Sequence, residues 1–344
     1  MSGLFQLTYH VTFRCNARCQ FCFNLDKLCG GAENELYFEE IEKISKGMPR
    51  FPWLLISGGE PFLRHDLAEI IEIFYRNNKV RHVTIPTNGI LSDKIYEGVK
   101  NILNNCGRLT VTLSFSLDEI GDSHSLLRNV PGCYEKMLKS YEIIKPLREN
   151  KRLNVKFHTV VSNFNYRNLD GIIKEVKRLG PDMHTIDFIR GDVKDAAFGL
   201  PEGEDLKKII EIIKKNYKYY SGYSNLKSHS PLMKVFSGAV QIAYLDLFQK
   251  ILNRKRQVVR CSAFKRHLVL YPYGDVSFCE PLKPFANIRD YDYSYSGLLG
   301  SDKGREQAEF IKSKKCYCYH PCNQYVNILF SPLYMCKGVL QYVF

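Results

Sequence analysis

The residues best suited to chemistry near the start of the chain are three cysteines, Cys15, Cys19 and Cys22, spaced C-x3-C-x2-C after an apolar run. Three thiolates this close cannot face one metal from a regular strand, so a loop must wrap them around it. A cubane iron–sulfur cluster normally takes four cysteines. A set of three leaves one iron open for a substrate or cofactor. A zinc site that lacks a ligand is the alternative, although zinc motifs usually pair their cysteines or histidines.

A second set of thiols lies near the other end of the chain. Cys261, Gly274 and Cys279 form the pattern C-x12-G-x4-C, and the residues around Tyr273-Gly274 predict a β-hairpin with a tight turn. Further thiols follow at Cys316, Cys318, Cys322 and Cys336. Six thiols cannot supply four ligands to each of two clusters. Either one cluster is fully ligated and two thiols are left over, or two clusters have non-cysteine ligands or open positions. A structural zinc knuckle that includes His320 is the alternative.

Between these two sets, two predicted strands end in residues that suit a polar ligand. The sequence Ser57-Gly58-Gly59-Glu60-Pro61 places two glycines beside a carboxylate. Glycines let a backbone approach a ligand closely, and the carboxylate can accept from an ammonium group. Asn88-Gly89 ends the next strand and is also a turn signal.

These residues must be positioned by regularly alternating elements. Strands are predicted at residues 5–12, 53–57, 82–87, 109–116, 154–161 and 185–189, and helices at 38–46, 66–76, 92–104, 132–145 and 166–179. Such alternation indicates βα units around a parallel sheet. Six units are too few for a complete eight-stranded barrel. Every motif falls at the carboxyl end of a strand, where parallel α/β barrels carry their chemistry.

The pattern changes after residue 200. Residues 204–220 and 231–256 show helical spacing of apolar positions, with a polar loop at 221–230. The sequence therefore predicts a barrel at residues 1–200, a helical bridging region at 201–260 and a cysteine-rich domain at 261–344.

Composition excludes several classes of protein. The 344 residues are 45% hydrophobic and 25% charged, as in a globular protein, and no apolar run approaches the roughly 20 residues that span a bilayer. The first residues lack a signal peptide, so a cytoplasmic location is expected, where twelve cysteines favour metal ligation over disulfides. A net charge of +13 can attract nucleic acid or acidic partners. More often, such basic residues only keep the exposed faces of helices solvated.

The N-terminal cysteine motif, with Phe21 just before its last cysteine, resembles the cluster motif of the radical S-adenosylmethionine (SAM) superfamily. The resemblance implies a 4Fe–4S cluster on Cys15, Cys19 and Cys22 whose open iron binds SAM. It also implies the fold: α/β, a partial (β/α)6 TIM-like barrel with a small C-terminal cysteine-rich iron–sulfur domain. The expected chemistry is reductive cleavage of SAM to a 5′-deoxyadenosyl radical that abstracts hydrogen.

The same resemblance assigns SAM contacts. The Gly-Gly-Glu segment is similar to the superfamily motif that holds the amino group of SAM, and the segment from Ser116 to Arg128 is similar to one that contacts its ribose and carboxylate. Phe21 would pack on adenine and Asn88 would face the site. The implied SAM-binding residues are Phe21, Gly58, Gly59, Glu60, Asn88, Ser116 and Arg128.

The C-terminal pattern resembles the beginning of SPASM and twitch domains, which hold auxiliary 4Fe–4S clusters, but departs from it after Cys279. We expect at least one auxiliary cluster on Cys261 and Cys279 plus two of the four later cysteines. Such a cluster can accept an electron from the substrate radical or position the substrate. No residue is predicted as a catalytic acid or base.

The substrate is the least determined feature. No segment that could recognise a leader peptide precedes the first predicted strand, which favours a small molecule such as a sugar or natural-product precursor. Maturation of a peptide, modification of tRNA and a non-catalytic iron–sulfur role are the alternatives, with nucleic acid disfavoured because no RNA-binding module is visible. Flavodoxin or ferredoxin is the expected electron donor, and no membrane partner is expected.

Overall fold

The computed structural model describes residues 3–28, 31–191, 196–222 and 231–343. Nine strands form one sheet: β1 Gln6–His10, β2 Trp53–Ser57, β3 His82–Thr87, β4 Thr110–Ser116, β5 Leu153–Val161, β6 Met183–Phe188, β7 His267–Leu270, β8 Asp275–Ser277 and β9 Ala286–Asn287. Their order is β6-β5-β4-β3-β2-β1-β7-β8-β9. The first seven strands pair in parallel, the last two are antiparallel, and the sheet is not closed.

Thirteen α-helices are found in the described part of the chain: α1 Phe38–Gly47, α2 Leu67–Asn78, α3 Ser92–Asn105, α4 Asp122–Arg128, α5 Cys133–Ile144, α6 Leu169–Leu179, α7 Gly203–Gly222, α8 Pro231–Arg254, α9 Ala263–Arg266, α10 Tyr295–Gly300, α11 Asp302–Lys312, α12 Pro321–Leu329 and α13 Pro332–Val343. Helix α6 is typical of those on the sheet. It buries Leu169, Ile172, Ile173 and Val176, which share one helix face. It ends at Gly180, whose positive φ of 70° stops the helix.

Strand β1 lies between two parallel neighbours, and all five of its residues are buried. Leu7 and Tyr9 belong to the main hydrophobic core. On alternate positions, Thr8 contacts Nε2 of His267 on β7 at 2.8 Å, and His10 lies at the carboxyl end of the strand. This alternation follows from the two-residue period of a strand. The strand that leads into the N-terminal cysteines is thus fixed on both edges and both faces.

The predicted α/β fold is confirmed, including all six barrel strands, whose ends differ from the prediction by at most two residues. The predicted hairpin is also present, since β7 and β8 are antiparallel and Gly274 between them has a φ of 91°. Of the predicted loop at 221–230, the first two residues end α7, and residues 223–230 lie outside the described part. The sequence did not predict that β7 would extend the barrel sheet beside β1.

The chain after the barrel forms a second hydrophobic core. Tyr244 and Phe248 of α8 pack with Phe188 of β6, and Phe188 stacks on Phe248 with 4.1 Å between ring centroids. Tyr334 of α13 also belongs to this cluster. Among the helices that the structure describes, none combines the length and apolar composition needed to cross a bilayer.

Candidate active site

The N-terminal cysteines lie on a loop that follows β1 and is fixed on two sides. On one side, the backbone N–H groups of Gly59 and Glu60 donate to the carbonyls of Thr12 and Arg14, at 2.8 and 2.9 Å. On the other side, the N–H groups of Arg18 and Gln20 donate to the carbonyls of Arg128 and Leu127 at the end of α4, at 3.1 and 3.2 Å. The loop conformation is therefore set by two segments that are distant in sequence.

The two glycines of the Gly-Gly-Glu segment are required by this packing. A Cβ on Gly58 would lie 2.2 Å from the carbonyl oxygen of Thr12, and one on Gly59 would lie 2.0 Å from that of Arg14. Real side chains do not approach backbone oxygen so closely, and Gly58 also has a positive φ of 122°. These glycines therefore position the cysteine loop, a role the sequence did not reveal.

The three thiols influence one another's ionisation. Burial, together with smaller effects of Glu60, Cys19 and Cys22, raises the pKa of Cys15 to about 11. Burial also raises the pKa values of Cys19 and Cys22, while the guanidinium of Arg128 opposes this at both. Buried thiols that repel one another as thiolates are stabilised by a shared cation. Because thiolates are also the preferred ligands of iron–sulfur iron, the donor set fits the cluster that the motif predicts.

Glu60 lies at the edge of this loop and is almost fully buried. Its Oε1 accepts from the hydroxyl of Thr87 at 2.9 Å and from the N–H of Phe62 at 3.3 Å, and its Oε2 accepts from the N–H of Asn88 at 2.8 Å. Burial raises the pKa of Glu60 to about 7, although these donors favour the charged form. The carboxylate links the ends of β2 and β3.

Asn88 faces the cysteine loop, as predicted. Its Nδ2 donates to Oδ1 of Asn16 at 2.7 Å and lies 4.0 Å from the Cys15 sulfur. Its Oδ1 accepts from the N–H of Ile90 at 3.0 Å, an Asx-type turn. Asn88 therefore makes the turn with its side-chain oxygen while its amide nitrogen reaches the cysteine loop, and its role toward SAM stays a prediction.

Arg128 lies on the opposite side of the loop and is buried. Its Nη2 forms a hydrogen-bonded ion pair with Asp118, and its guanidinium carbon lies 5.7 Å from the centre of the Phe21 ring. The second oxygen of Asp118 accepts from the N–H of Val160 at 2.9 Å. Asp118 therefore fixes Arg128 against β5.

His124 and Ser116 complete the predicted SAM segment. His124 is fully buried, and its Nδ1 accepts from the N–H of Asp118 at 3.2 Å. Ser116 is the last residue of β4 and pairs with His158 of β5. All seven residues predicted to contact SAM thus lie at or next to the carboxyl ends of β1 to β4.

The C-terminal thiols divide into two groups. Four thiols form one group, because each affects, or is affected by, the ionisation of another. Besides the larger effect of burial, the charges of Cys318, Cys261 and Cys316 raise the pKa of Cys279, and those of Cys261 and Cys316 raise the pKa of Cys318. Burial raises the pKa of Cys279 well above its ordinary value and that of Cys318 to about 11. We call these four residues the four-thiol set. Four thiolates, which are soft ligands, are the number that one auxiliary 4Fe–4S cluster requires.

Amide groups lie around the four-thiol set. Nε2 of Gln257 lies 3.7 Å from the sulfur of Cys316, and Nε2 of Gln324 lies 3.8 Å from that of Cys318. Such N–H···S contacts tune the potential of a cluster.

The two remaining candidate ligands lie elsewhere. Cys322 is in the first turn of α12, where Glu280 and His320 offer ligand atoms close to its sulfur. Cys336 is exposed on α13, and no contact recorded for the described residues joins it to another thiol. The assignment of these two cysteines as ligands stays a prediction.

A cavity of about 350 Å³ separates the two thiol regions. It is lined on the barrel side by Phe23 and Asn24, which directly follow Cys22, and by Arg190 after β6. On the other side it is lined by Glu280 and by Cys318 of the four-thiol set. Glu280 was not predicted from the sequence, although its place directly after Cys279 could have drawn attention to it.

Comparison with known proteins agrees with this geometry. Residues 9–176 match the model of the Radical SAM superfamily. The GTP 3′,8-cyclase of Clostridium perfringens strain SM101 is 26% identical over 287 residues, which cover 78% of this chain and 81% of the relative. The AdoMet-dependent heme synthase of Methanosarcina barkeri is 26% identical over 55% of this chain and 53% of its own length.

Solved structures share the fold of nearly the whole chain. The structure of native anSMEcpe with bound AdoMet superposes with a TM-score of 0.62 and 17% identity, covering 99% of this chain and 97% of the other. Streptococcus suis SuiB gives a TM-score of 0.56 and 15% identity, covering 89% and 68%. The similarity extends through the C-terminal cysteine region as well as the barrel.

Proposed function

From its membership of the radical SAM superfamily, carried by residues 9–176, we propose that this enzyme cleaves SAM reductively and abstracts a hydrogen atom from a small molecule. The observation that carries the proposal is the cysteine loop. Its three buried thiols are fixed between a Gly-Gly-Glu segment and a buried arginine, each of which can hold part of SAM.

Each residue around the loop has a role in this proposal. Cys15, Cys19 and Cys22 hold a 4Fe–4S cluster, which when bound supplies the electron for SAM cleavage. Glu60, with the backbone of Gly58 and Gly59, binds the amino group. Arg128 binds the carboxylate of SAM, Ser116 binds its ribose and Phe21 packs on its adenine. Asn88 lies beside the loop and faces the bound SAM. A guanidinium suits a carboxylate because it can donate to both oxygens.

We propose that the four-thiol set holds one auxiliary 4Fe–4S cluster. Cys318 belongs to that set and also lines the cavity, so a substrate in the cavity would lie between the two clusters. From this place the auxiliary cluster can accept an electron from the substrate radical or position the substrate. A flavodoxin or ferredoxin supplies electrons to the first cluster.

The cavity supports a small substrate. A volume of about 350 Å³ is at the lower end of the range for small-molecule sites. Its walls carry the aromatic rings of Phe23 and Tyr271 together with the cations of Lys27 and Arg190. Rings and cations of this kind suit a polar molecule that carries an anionic group, such as a phosphorylated or carboxylated precursor.

Peptide maturation is the second candidate function. Two structures with this fold are described with peptides, anSMEcpe with Cp18Cys peptide and SuiB with precursor peptide SuiA, at TM-scores of 0.61 and 0.52. A single side chain of a peptide would also fit the cavity. The two candidates differ in what must lie outside the cavity, because only a peptide needs a groove beyond it.

The proposal is tested by anaerobic reconstitution with iron counting and measurement of 5′-deoxyadenosine. The variant Cys15/Cys19/Cys22→Ala should lose about four irons and all SAM cleavage, while the four-thiol set keeps its own iron. Cys336→Ser removes an exposed candidate ligand outside the four-thiol set, and an unchanged iron count in this variant would exclude Cys336 as a ligand. A reconstituted parent enzyme that binds iron but forms no 5′-deoxyadenosine with SAM and a strong reductant would contradict the proposal.

A further inference from the structure

Three metal-ligating side chains outside the four-thiol set converge next to the cavity, and two of them, Glu280 and His320, line it. Glu280 follows β8, while His320 and Cys322 lie at the start of α12. One ligand atom of each residue lies within 4.8 Å of those of the other two. We call these residues the Glu-His-Cys triad. The three donor types, carboxylate, imidazole and thiol, come from two separate segments that the fold brings together.

The contacts inside the triad are not those of a satisfied hydrogen-bond network. Oε2 of Glu280 lies 3.0 Å from Nε2 of His320, with both side chains at least nine-tenths buried, yet this oxygen has no aligned hydrogen bond. Nδ1 of His320 is also buried without a hydrogen-bond partner among the described residues. Buried polar atoms of this kind need an explanation, of which a bound ion is one.

The outer contacts of the triad suit a metal ligand. The other oxygen of Glu280, Oε1, lies 3.0 Å from Nε2 of His10 at the end of β1. A ligating carboxylate is usually held by such a second contact, which orients the ligating oxygen. In a tetrahedral site, bonds of about 2.0–2.3 Å place neighbouring ligand atoms roughly 3.3–3.8 Å apart. The Glu280 oxygen and the His320 nitrogen are 3.0 Å apart, so they would separate slightly to bind one ion.

The triad is also separate from the four-thiol set. The charged groups with the strongest influence on Cys322 are Glu280, Arg190, Asp187 and Lys156. For Cys279, by contrast, they are the other three thiols of its set. None of these four effects on the pKa of Cys322 comes from a thiol of the four-thiol set.

We propose that Glu280, His320 and Cys322 bind a single divalent transition-metal ion of the zinc or ferrous class, distinct from both iron–sulfur clusters. One oxygen, one nitrogen and one sulfur ligand match the preferences of these borderline ions. Three protein ligands leave a fourth position open, as in catalytic sites. Because Glu280 and His320 line the cavity, that position is accessible to a substrate oxygen or sulfur, which the ion would orient and polarise.

Zinc is the probe for the test, because its X-ray absorption edge is separate from that of iron. Enzyme with both clusters reconstituted is freed of excess iron, given one equivalent of zinc per chain and desalted anaerobically. We expect about one zinc to be retained, with one sulfur scatterer near 2.3 Å and nitrogen or oxygen scatterers at about 2.0–2.1 Å. The iron count and SAM cleavage should not change, so this result is independent of the proposed function.

Two variants locate the ion. Cys322→Ser should remove the sulfur scatterer, and Glu280→Gln should weaken zinc binding by more than the about 10–100-fold that outer contacts are worth. Glu306→Gln, at an exposed glutamate, is the matched control for Glu280→Gln and should bind zinc as the parent does. Thermal unfolding of each variant shows whether it is folded, and Glu280→Gln, which keeps the shape of the side chain, preserves the test if Cys322→Ser does not fold.

Three outcomes would overturn the proposal. If Cys322→Ser loses about four irons, Cys322 is a cluster ligand. If zinc is bound by three or four sulfurs, it occupies a thiol set and not the triad. If the parent retains no zinc, the triad is a polar network whose charge is balanced by neighbouring cations.

Discussion

Glu60 shows how the site balances opposing demands on a single side chain. It is almost fully buried, which disfavours its charge. Three donors nevertheless hold it in the orientation of an ionised carboxylate: the Thr87 hydroxyl and the N–H groups of Asn88 and Phe62. Burial is the larger effect, so the pKa rises to about 7. An incoming ammonium group would favour the ionised form and lower that pKa.

This balance predicts how SAM binding depends on pH. If ionised Glu60 holds the amino group of SAM, the affinity should rise by up to about tenfold per pH unit between pH 6 and pH 7 and level off above it, because the protonated form cannot accept the ammonium. Glu60→Gln should bind SAM more weakly and lose this dependence, so its profile reports only the titration of SAM itself. Equilibrium binding of SAM to anaerobically reconstituted enzyme measures both profiles. If the affinity of the parent enzyme for SAM depends on pH in the same way as that of Glu60→Gln, Glu60 does not bind the amino group of SAM.

At this scale the sequence predicted which residues surround the cysteine loop but not which residues hold them. Asn88 was predicted because it follows a strand, and it does reach the loop. The pairing of Asp118 with Arg128 was not predicted, because it depends on how α4 folds back over the end of β4. Glu280 was missed for a similar reason, since it faces His10, 270 residues away in the chain.

Among the elements, the cysteine loop depends on the turn after β2 more than on its own sequence. The backbone of Gly58, Gly59 and Glu60 runs beside that of Thr12 and Arg14, with no space for a side chain between them. Strand positions were predictable because buried strands are continuous apolar runs bounded by turn residues. The close approach of two loops was not, because glycines that fit a tight turn and glycines that fit a neighbouring backbone look alike in sequence.

A single methyl group tests this packing. In Gly59→Ala the new Cβ would lie 2.0 Å from the carbonyl oxygen of Arg14, so one backbone must move. We expect a loss of about 1–3 kcal/mol in the free energy of unfolding and a fall of up to about four irons per chain, because the displaced loop no longer presents three thiols together. Gly107→Ala is the matched control, since its Cβ would meet nothing within 4 Å. Denaturant titration and iron analysis measure the two effects, and full iron content in Gly59→Ala would show that the loop does not depend on this contact.

For the whole molecule, the main consequence of the fold is that the barrel and the cysteine-rich C-terminal region share one sheet. The sequence predicted a boundary at residue 261, yet β7 begins six residues later and pairs with β1 along four residues. His267 links three elements, with Nε2 2.8 Å from the Thr8 hydroxyl on β1 and Nδ1 hydrogen-bonded to Asn323 on α12. Long-range parallel pairing of this kind leaves no local sequence signal. The two cluster regions should therefore be held in one rigid frame across the cavity.

Hydrogen exchange can establish whether that frame unfolds as a unit. His267→Ala leaves buried partners on β1 and α12 unsatisfied, which should cost about 1–3 kcal/mol. If β1 and β7 belong to one cooperative unit, this change in β7 lowers the opening free energy of amides in both strands by the same amount. His65→Ala removes an exposed histidine and should alter neither strand by more than about 0.5 kcal/mol. Should β7 amides open more easily in His267→Ala while those of β1 stay unchanged, the C-terminal region would be a separately unfolding domain. The geometry of the cavity between the two thiol regions would then depend on docking instead of on the continuous sheet.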